Sequence, residues 1–306
     1  MKSYILKRLL VAIPVVFVTI SVVFFAFALI PGDPALMFAG PEAPGEFIAA
    51  LQQKFGTDQP VHIRYYRYLG NLIRGDLGSS FFTGRPVHVE ILPRFRNTAE
   101  LAIAATLISA SIGIMLGVVS AVRQDTAFDR VILIGTLAGI SIPVFWLGLI
   151  LMLWFAVNWG LLPSSGRGTL AHLVLPTLSL SVFATAFITR MTRSSILEVI
   201  RKDYIRTARA KGLSERIVVY KHALANAMIP VVTVVGLRFG YLLGGAVITE
   251  QVFRWPGLGR ILVQAVGYRD YFLIQGTIML FSICFVLINI VVDVTYAILD
   301  PRIRYG

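Results

Sequence analysis

The chain has 306 residues, of which 57% are hydrophobic and 14% charged, with a formal net charge of +12. A soluble domain carries about a quarter charged residues. This composition therefore excludes a soluble enzyme, a disordered or collagen-like chain and a coiled coil, and the single cysteine, Cys284, excludes a disulfide scaffold.

The Lys and Arg residues fall between apolar runs and not on one continuous face, which marks them as topology signals; no nucleic-acid partner is expected. A bilayer core about 30 Å thick takes roughly 20 apolar residues as a helix. Six runs are predicted to span, at 9–30, 98–122, 131–157, 172–189, 223–247 and 271–299. Lys2, Lys7 and Arg8 precede the first. Pro31-Gly32-Asp33-Pro34 follows it in place of a small-residue cleavage site, so it reads as a retained anchor. The fourth run is the shortest and contains Pro176. Pro14, Pro143 and Pro230 interrupt three others, each removing a backbone donor. Such bends line substrate routes in transporters, and ordinary kinks have the same sequence.

Six spans place both termini on one side. The short segments on that side carry 16 Lys and Arg residues, against four on the short loops 158–171 and 248–270. This bias sets an N-in, C-in orientation. The expected organisation is an all-α polytopic membrane protein: 1–30, the N-terminus and first span; 31–97, a long extracytoplasmic loop with short helices; and 98–306, the membrane core. Within the core lie a cytoplasmic loop, 190–222, and an outer loop, 248–270.

In the long loop, Asp58-Gln59-Pro60 marks a helix start, after which Val61, Tyr65, Leu69 and Leu72 recur at helical spacing. Two readings stand, a helix on the membrane surface and a docking surface for an external partner. Small residues at four-residue intervals (Ser109, Gly113, Gly117 and Ala121; Gly135 and Gly139; Gly236, Gly240 and Gly244) predict close helix packing. Glu100 and Asp293 sit near span ends, where they can reach water. Arg238 lies about 22 Å along the fifth span, counted from Ala223 at ~1.5 Å per residue. It requires either a wet cavity, where it can meet a substrate carboxylate, or an ion pair. A chain of intramembrane acids for proton coupling is missing, and so are G-x-x-x-x-G-K-[ST], H-E-x-x-H and G-x-S-x-G. The four histidines are dispersed, so no metal site is expected.

The segment 190–230 reads as a basic hairpin. Ser194 or Ser195 is expected to cap a helix carrying Ile196, Val199, Ile200, Tyr204, Ile205 and Ala208, Gly212 to end it, and Ser214 to open the next. Its apolar face is consistent with a membrane surface or with a protein partner.

Arg206-Thr207-Ala208-Arg209-Ala210-Lys211-Gly212-Leu213-Ser214-Glu215, then Lys221-His222-Ala223-Leu224 and Asn226-Ala227-Met228-Ile229-Pro230, resembles the coupling loop of ABC importer permeases. It is most similar to the dipeptide/oligopeptide branch, which includes glutathione and nickel permeases. Pro31-Gly32-Asp33-Pro34, Gly75-Asp76-Leu77-Gly78, Trp255-Pro256-Gly257-Leu258-Gly259-Arg260 and the tail Asp300-Pro301-Arg302-Ile303-Arg304-Tyr305 extend the resemblance over the whole chain. Where the generic loop begins Glu-Ala-Ala, this chain has Arg206-Thr207-Ala208, as the peptide branch does.

The resemblance implies a type I ABC importer permease fold in a bacterial or archaeal cytoplasmic membrane. It further implies a second homologous permease, two cytoplasmic ATPase subunits holding ATP and Mg, and an external binding protein. It places ATPase coupling on Asp203, Arg206, Thr207, Ala208, Arg209, Lys211, Gly212, Leu213, Ser214 and Glu215, with Ala208 and Gly212 allowing close approach. Binding-protein docking falls on Glu250, Phe253, Trp255, Pro256, Gly257, Leu258, Gly259 and Arg260. The translocation path is expected at Arg238, Tyr241, Pro143 and Pro230. Short peptides are the first expected cargo, glutathione or chelated nickel the alternative, and an ion-coupled carrier a distant one.

Overall fold

The computed structural model describes residues 2–29, 33–40 and 42–299. Pro31-Gly32 and the tail motif from Asp300 lie outside them. The described residues form helices and turns, with one isolated bridge between Ser79 and Pro86. The first span is α1 (Lys2–Ala28), and the outer loop folds into α2 (Pro34–Ala39), α3 (Gly45–Phe55) and α4 (Val61–Ile73). Asp33 caps α2 through the Ala35 N–H, and its other oxygen accepts from Gln52 of α3 at 2.5 Å. The expected helix after Pro60 is present. Its aromatic face rests on α1, with the Tyr65 and Ser21 hydroxyls 2.6 Å apart and Tyr68 stacked on Phe24.

The core begins with α5 (Val87–Val122), which starts eleven residues before the predicted span. α6 (Ala127–Ser141) and α7 (Val144–Leu151), the latter continued by a π-helical stretch at Met152–Asn158, replace the single third span. The chain turns through 100° between them. Ile142 is extended at ψ 122, as a residue before proline must be, and Pro143 supplies no donor to carry the ladder across. Five helices are long and apolar enough to cross a membrane, or six with the bent pair taken as one span. Six is the number that keeps both termini on one side.

α8 (Leu170–Ile200) corrects the sequence reading in two ways. The run expected to be shortest is a 31-residue helix, opened by His172, whose Nδ1 accepts the Thr169 N–H. It also runs on past Thr189, so Ser194 and Ser195 are interior and cap nothing. The reason is burial: Ile196 and Val199 pack against Val118 and Ala121 of α5, which sustains the helix beyond the bilayer. After α9 (Asp203–Ala210), α10 (Glu215–Ile217) passes through a π-helical stretch, Val218–Ala223, into α11 (Leu224–Gly245). The independent part of the cytoplasmic loop is thus residues 201–214. α12 (Val247–Val252), α13 (Leu258–Gly267) and α14 (Tyr271–Leu299) complete the chain.

α5 and α8 form the central pair. A Cβ on Gly113 would lie 2.8 Å from Ile188, and one on Gly117 2.5 Å from Thr192, so the expected small-residue ridge is what lets these backbones approach. Gly139 and Gly236 meet Val182 and Val292 likewise, whereas Gly135 and Gly244 face open space.

Candidate functional site

The cytoplasmic elbow is built inward first. Ile205 and Ala208 of α9 enter the cluster formed by Val118, Ala121, Ile196, Val199, Val218 and Val219. Ile205 and Ala208 are therefore covered by the chain itself, so Ala208, expected to allow close approach, is buried, while Tyr204, Leu213, Ile217 and Tyr220 stay exposed. Asp203, Arg206, Thr207, Arg209, Lys211, Leu213, Ser214 and Glu215 lie on the exposed side. Gly212, at φ +80, makes the left-handed turn that ends α9. Arg209 then reaches across it to Glu215, Nε to Oε1 at 2.6 Å and Nη2 to Oε2 at 3.2 Å. That pair braces the turn and leaves Arg206 and Lys211 as the cations projecting outward; Arg206 stands 3.6 Å from Asp203.

A second brace, absent from the sequence reading, stands behind the elbow. Asp129 of α6, 2% exposed, receives Arg193 of α8 through two parallel bonds, 2.8 and 2.7 Å. The Ser120 hydroxyl of α5 and the Asp125 N–H complete its shell. Fork-to-fork geometry of this kind is the strong form of an ion pair, and here it ties three helices together at the base of the elbow.

On the outer side, residues 248–260 form a latch over the end of α5. Glu250 has no exposed surface. Its Oε1 accepts the Thr98 hydroxyl at 2.6 Å and its Oε2 the Arg260 N–H at 3.0 Å. Thr98 in turn accepts the Leu258 N–H, Asn97 donates to the Pro256 carbonyl, and Trp255 Nε1 donates to the Asn97 carbonyl. A Cβ on Gly257 would fall 2.2 Å from Glu250 Oε1. Burial pushes the Glu250 carboxyl up to about 7. Phe253, Trp255, Gly257, Leu258 and Gly259 are buried as well. Of the residues expected to dock a binding protein, only Pro256 and Arg260 are partly exposed. The others hold the loop, and exposed Arg254, at φ +50, presents a further cation beside them.

Within the membrane core, Arg238 and Tyr241 of α11 line a cavity of about 250 Å³ with Val144, Phe145, Phe183 and Ile248. The guanidinium sits 3.7 Å from the Phe187 ring centre and 5.5 Å from Phe183. It has no carboxylate partner among the described residues, and its surroundings are the cavity and these rings. Pro143 precedes Val144 of the lining; Pro230 is outside it. Glu100 pairs with Arg167 at 2.6 Å and Asp293 with Arg8 at 3.0 Å, both near span ends.

Residues 113–305 match the family described as binding-protein-dependent transport system inner membrane component, and residues 1–102 match its N-terminal component. The chain belongs to this family. It is 47% identical over 305 residues to the glutathione transport system permease protein GsiC of Salmonella paratyphi A, with complete coverage of both chains. It is 46% identical over the same length to GsiC of Escherichia coli K12. The inward-facing MetNI methionine ABC transporter superposes with a TM-score of 0.60 at 23% identity, over 69% of this chain and 96% of that one, which is a likeness of fold. The chain is thus an ABC importer permease, a multi-pass protein of the bacterial inner membrane.

Proposed function

We propose that this permease carries glutathione, or a short peptide of the same size and charge, into the cytoplasm. The observation that carries the reading is end-to-end identity of 47% to permeases named for glutathione transport. It favours the alternative cargo over the broader class of di- and oligopeptides expected from sequence. The unpaired guanidinium of Arg238, set among aromatic rings at a membrane cavity, is a cation suited to a peptide carboxylate.

Energy enters at the elbow. ATP and Mg belong to two partner ATPase subunits that grip the exposed face of residues 203–215, and a second permease and an external binding protein complete the assembly. A displacement of the elbow is passed to α8 and α11, the helices it joins, and from α8 to α5 through the Gly113–Gly117 contact. Nucleotide drives the permease only by favouring one of its two openings. Proteoliposomes holding the full assembly test this: ATP-dependent uptake of labelled glutathione, competed by unlabelled glutathione more strongly than by unrelated dipeptides, is expected. Dipeptide uptake that glutathione leaves unchanged overturns the cargo assignment.

A further inference from the structure

A second cavity, of about 420 Å³, opens where the outer end of α1 meets α3, α4, the loop after α4 and the first turns of α14. It shares no lining residue with the Arg238 cavity. One wall is aromatic: Phe24 stacks on Tyr68 at 5.3 Å, and Phe81 meets Phe272 edge-on at 4.9 Å. Against it stand Lys54, Arg64 and Arg67, three positive charges facing one carboxylate, Asp76, which already accepts the Gly78 N–H. None of the three cations has an ion pair within 4 Å among the described residues, and Arg64 acts on Asp33 only from farther away. Gln275 is 7% exposed and lines the same space, yet its amide has no hydrogen-bond partner among the described residues. That amide opens onto the cavity, where it offers an occupant both a donor and an acceptor. Water would satisfy the amide without neutralising the cations.

The height of the cavity narrows the chemistry. Phe24 and Phe27 lie in the last turns of the first span, and Tyr271, Phe272 and Gln275 open the last one. That level is the membrane–water boundary, where aromatic belts and basic side chains meet lipid headgroups. α1 leaves many large apolar side chains, from Leu9 to Phe25, uncovered by the rest of the chain, so a hydrocarbon tail has a surface to follow. We propose that this cavity binds an anionic phospholipid of the outer leaflet. Its phosphate sits against Lys54, Arg64 and Arg67, and its glycerol ester region against the Gln275 amide and the aromatic wall.

The test is native mass spectrometry of the assembled, detergent-purified transporter, titrated separately with phosphatidylglycerol, phosphatidylcholine, inorganic phosphate and glutathione. Phosphatidylglycerol is expected to be retained over phosphatidylcholine, and neither free phosphate nor glutathione should displace it. Arg67→Gln, a change at an exposed side chain, should weaken its retention roughly fivefold, the effect of one basic residue near a membrane surface. Arg67→Lys should restore it. Gln275→Leu, which leaves the charges in place, should weaken both lipids. Equal retention of the two lipids, or variants indistinguishable from the parent, overturns the proposal. So does displacement by phosphate, which means a simple anion site, or by glutathione, which means an outer substrate subsite. Cargo uptake is measured separately, so failure of the lipid site leaves the cargo reading standing.

Discussion

At the scale of single residues, two buried carboxylates show how differently a charge is accommodated. Glu250 receives the Thr98 hydroxyl and the backbone N–H groups of Arg260 and Gly259 but, among the described residues, no cation, so burial keeps its proton on to about pH 7. Its folded value lies above the ordinary 4.5, so the folded state binds the extra proton. The stabilisation is complete below about pH 4.5, is lost as pH rises through 7, and is flat beyond. The shift corresponds to about 3 kcal/mol. The outer latch should therefore loosen from pH 5 to pH 8, read as hydrogen exchange at residues 248–260, and Glu250→Gln should flatten that dependence. An unchanged slope in Glu250→Gln means another group governs the latch. Asp129 has the opposite solution, a guanidinium with two parallel bonds. Arg193→Met strands that carboxylate and should cost about 3–5 kcal/mol in unfolding measurements. Asp129→Asn placed on top of Arg193→Met should recover part of the loss, because the uncompensated charge is then gone.

At the scale of elements, the elbow depends on one backbone angle. Gly212 sits at φ +80 with open space where a Cβ would go, so Gly212→Val strains the turn by about 1–2 kcal/mol without a clash. Membrane insertion should survive, while glutathione uptake and binding-protein-stimulated ATPase activity fall together; Gly212→Asn should retain more of both. Gly117→Val acts through packing, since its Cβ would reach 2.5 Å from Thr192. It should separate α5 from α8 and lower thermal stability by about 1–3 kcal/mol. Both glycines were legible in the sequence, one by its place after an amphipathic stretch and the other by its four-residue ridge. The length of α8 was not. Arg190 and Arg193 suggested a chain already in the cytosol, whereas the helix continues because Ile196 and Val199 find a core. Hydropathy reports where a helix leaves lipid, not where it stops. Nor does any spacing rule join Thr98 to Glu250 across 152 positions, or Asp129 to Arg193 across 64. Those pairs exist only once the helices are stacked. The residues of 250–260 looked like a contact surface because they form a distinctive motif, and most of that motif holds the loop together.

At the scale of the whole molecule, the proposed function assigns energy and cargo to separate places joined by long helices. The elbow lies at the cytoplasmic ends of α8 and α11, while Arg238 lies about 20 Å along α11 from its start, at ~1.5 Å per residue. This separation makes binding and coupling independently testable. If Arg238 meets a glutathione carboxylate on its way through, Arg238→Met removes the charge at similar length and leaves the elbow untouched. A hydrogen bond to a charged group contributes about 1.5–3 kcal/mol, so KM for uptake should rise roughly tenfold or more. The ATPase rate stimulated by loaded binding protein should change little. Arg238→Lys keeps the charge but loses the planar fork that suits a carboxylate, and should fall between the two. A purely structural guanidinium, held by the Phe183 and Phe187 rings, predicts another pattern: Arg238→Met would then lower thermal stability and transport rate together while KM stayed fixed. The division of the effect between KM and rate therefore decides whether this cation serves the cargo or the packing.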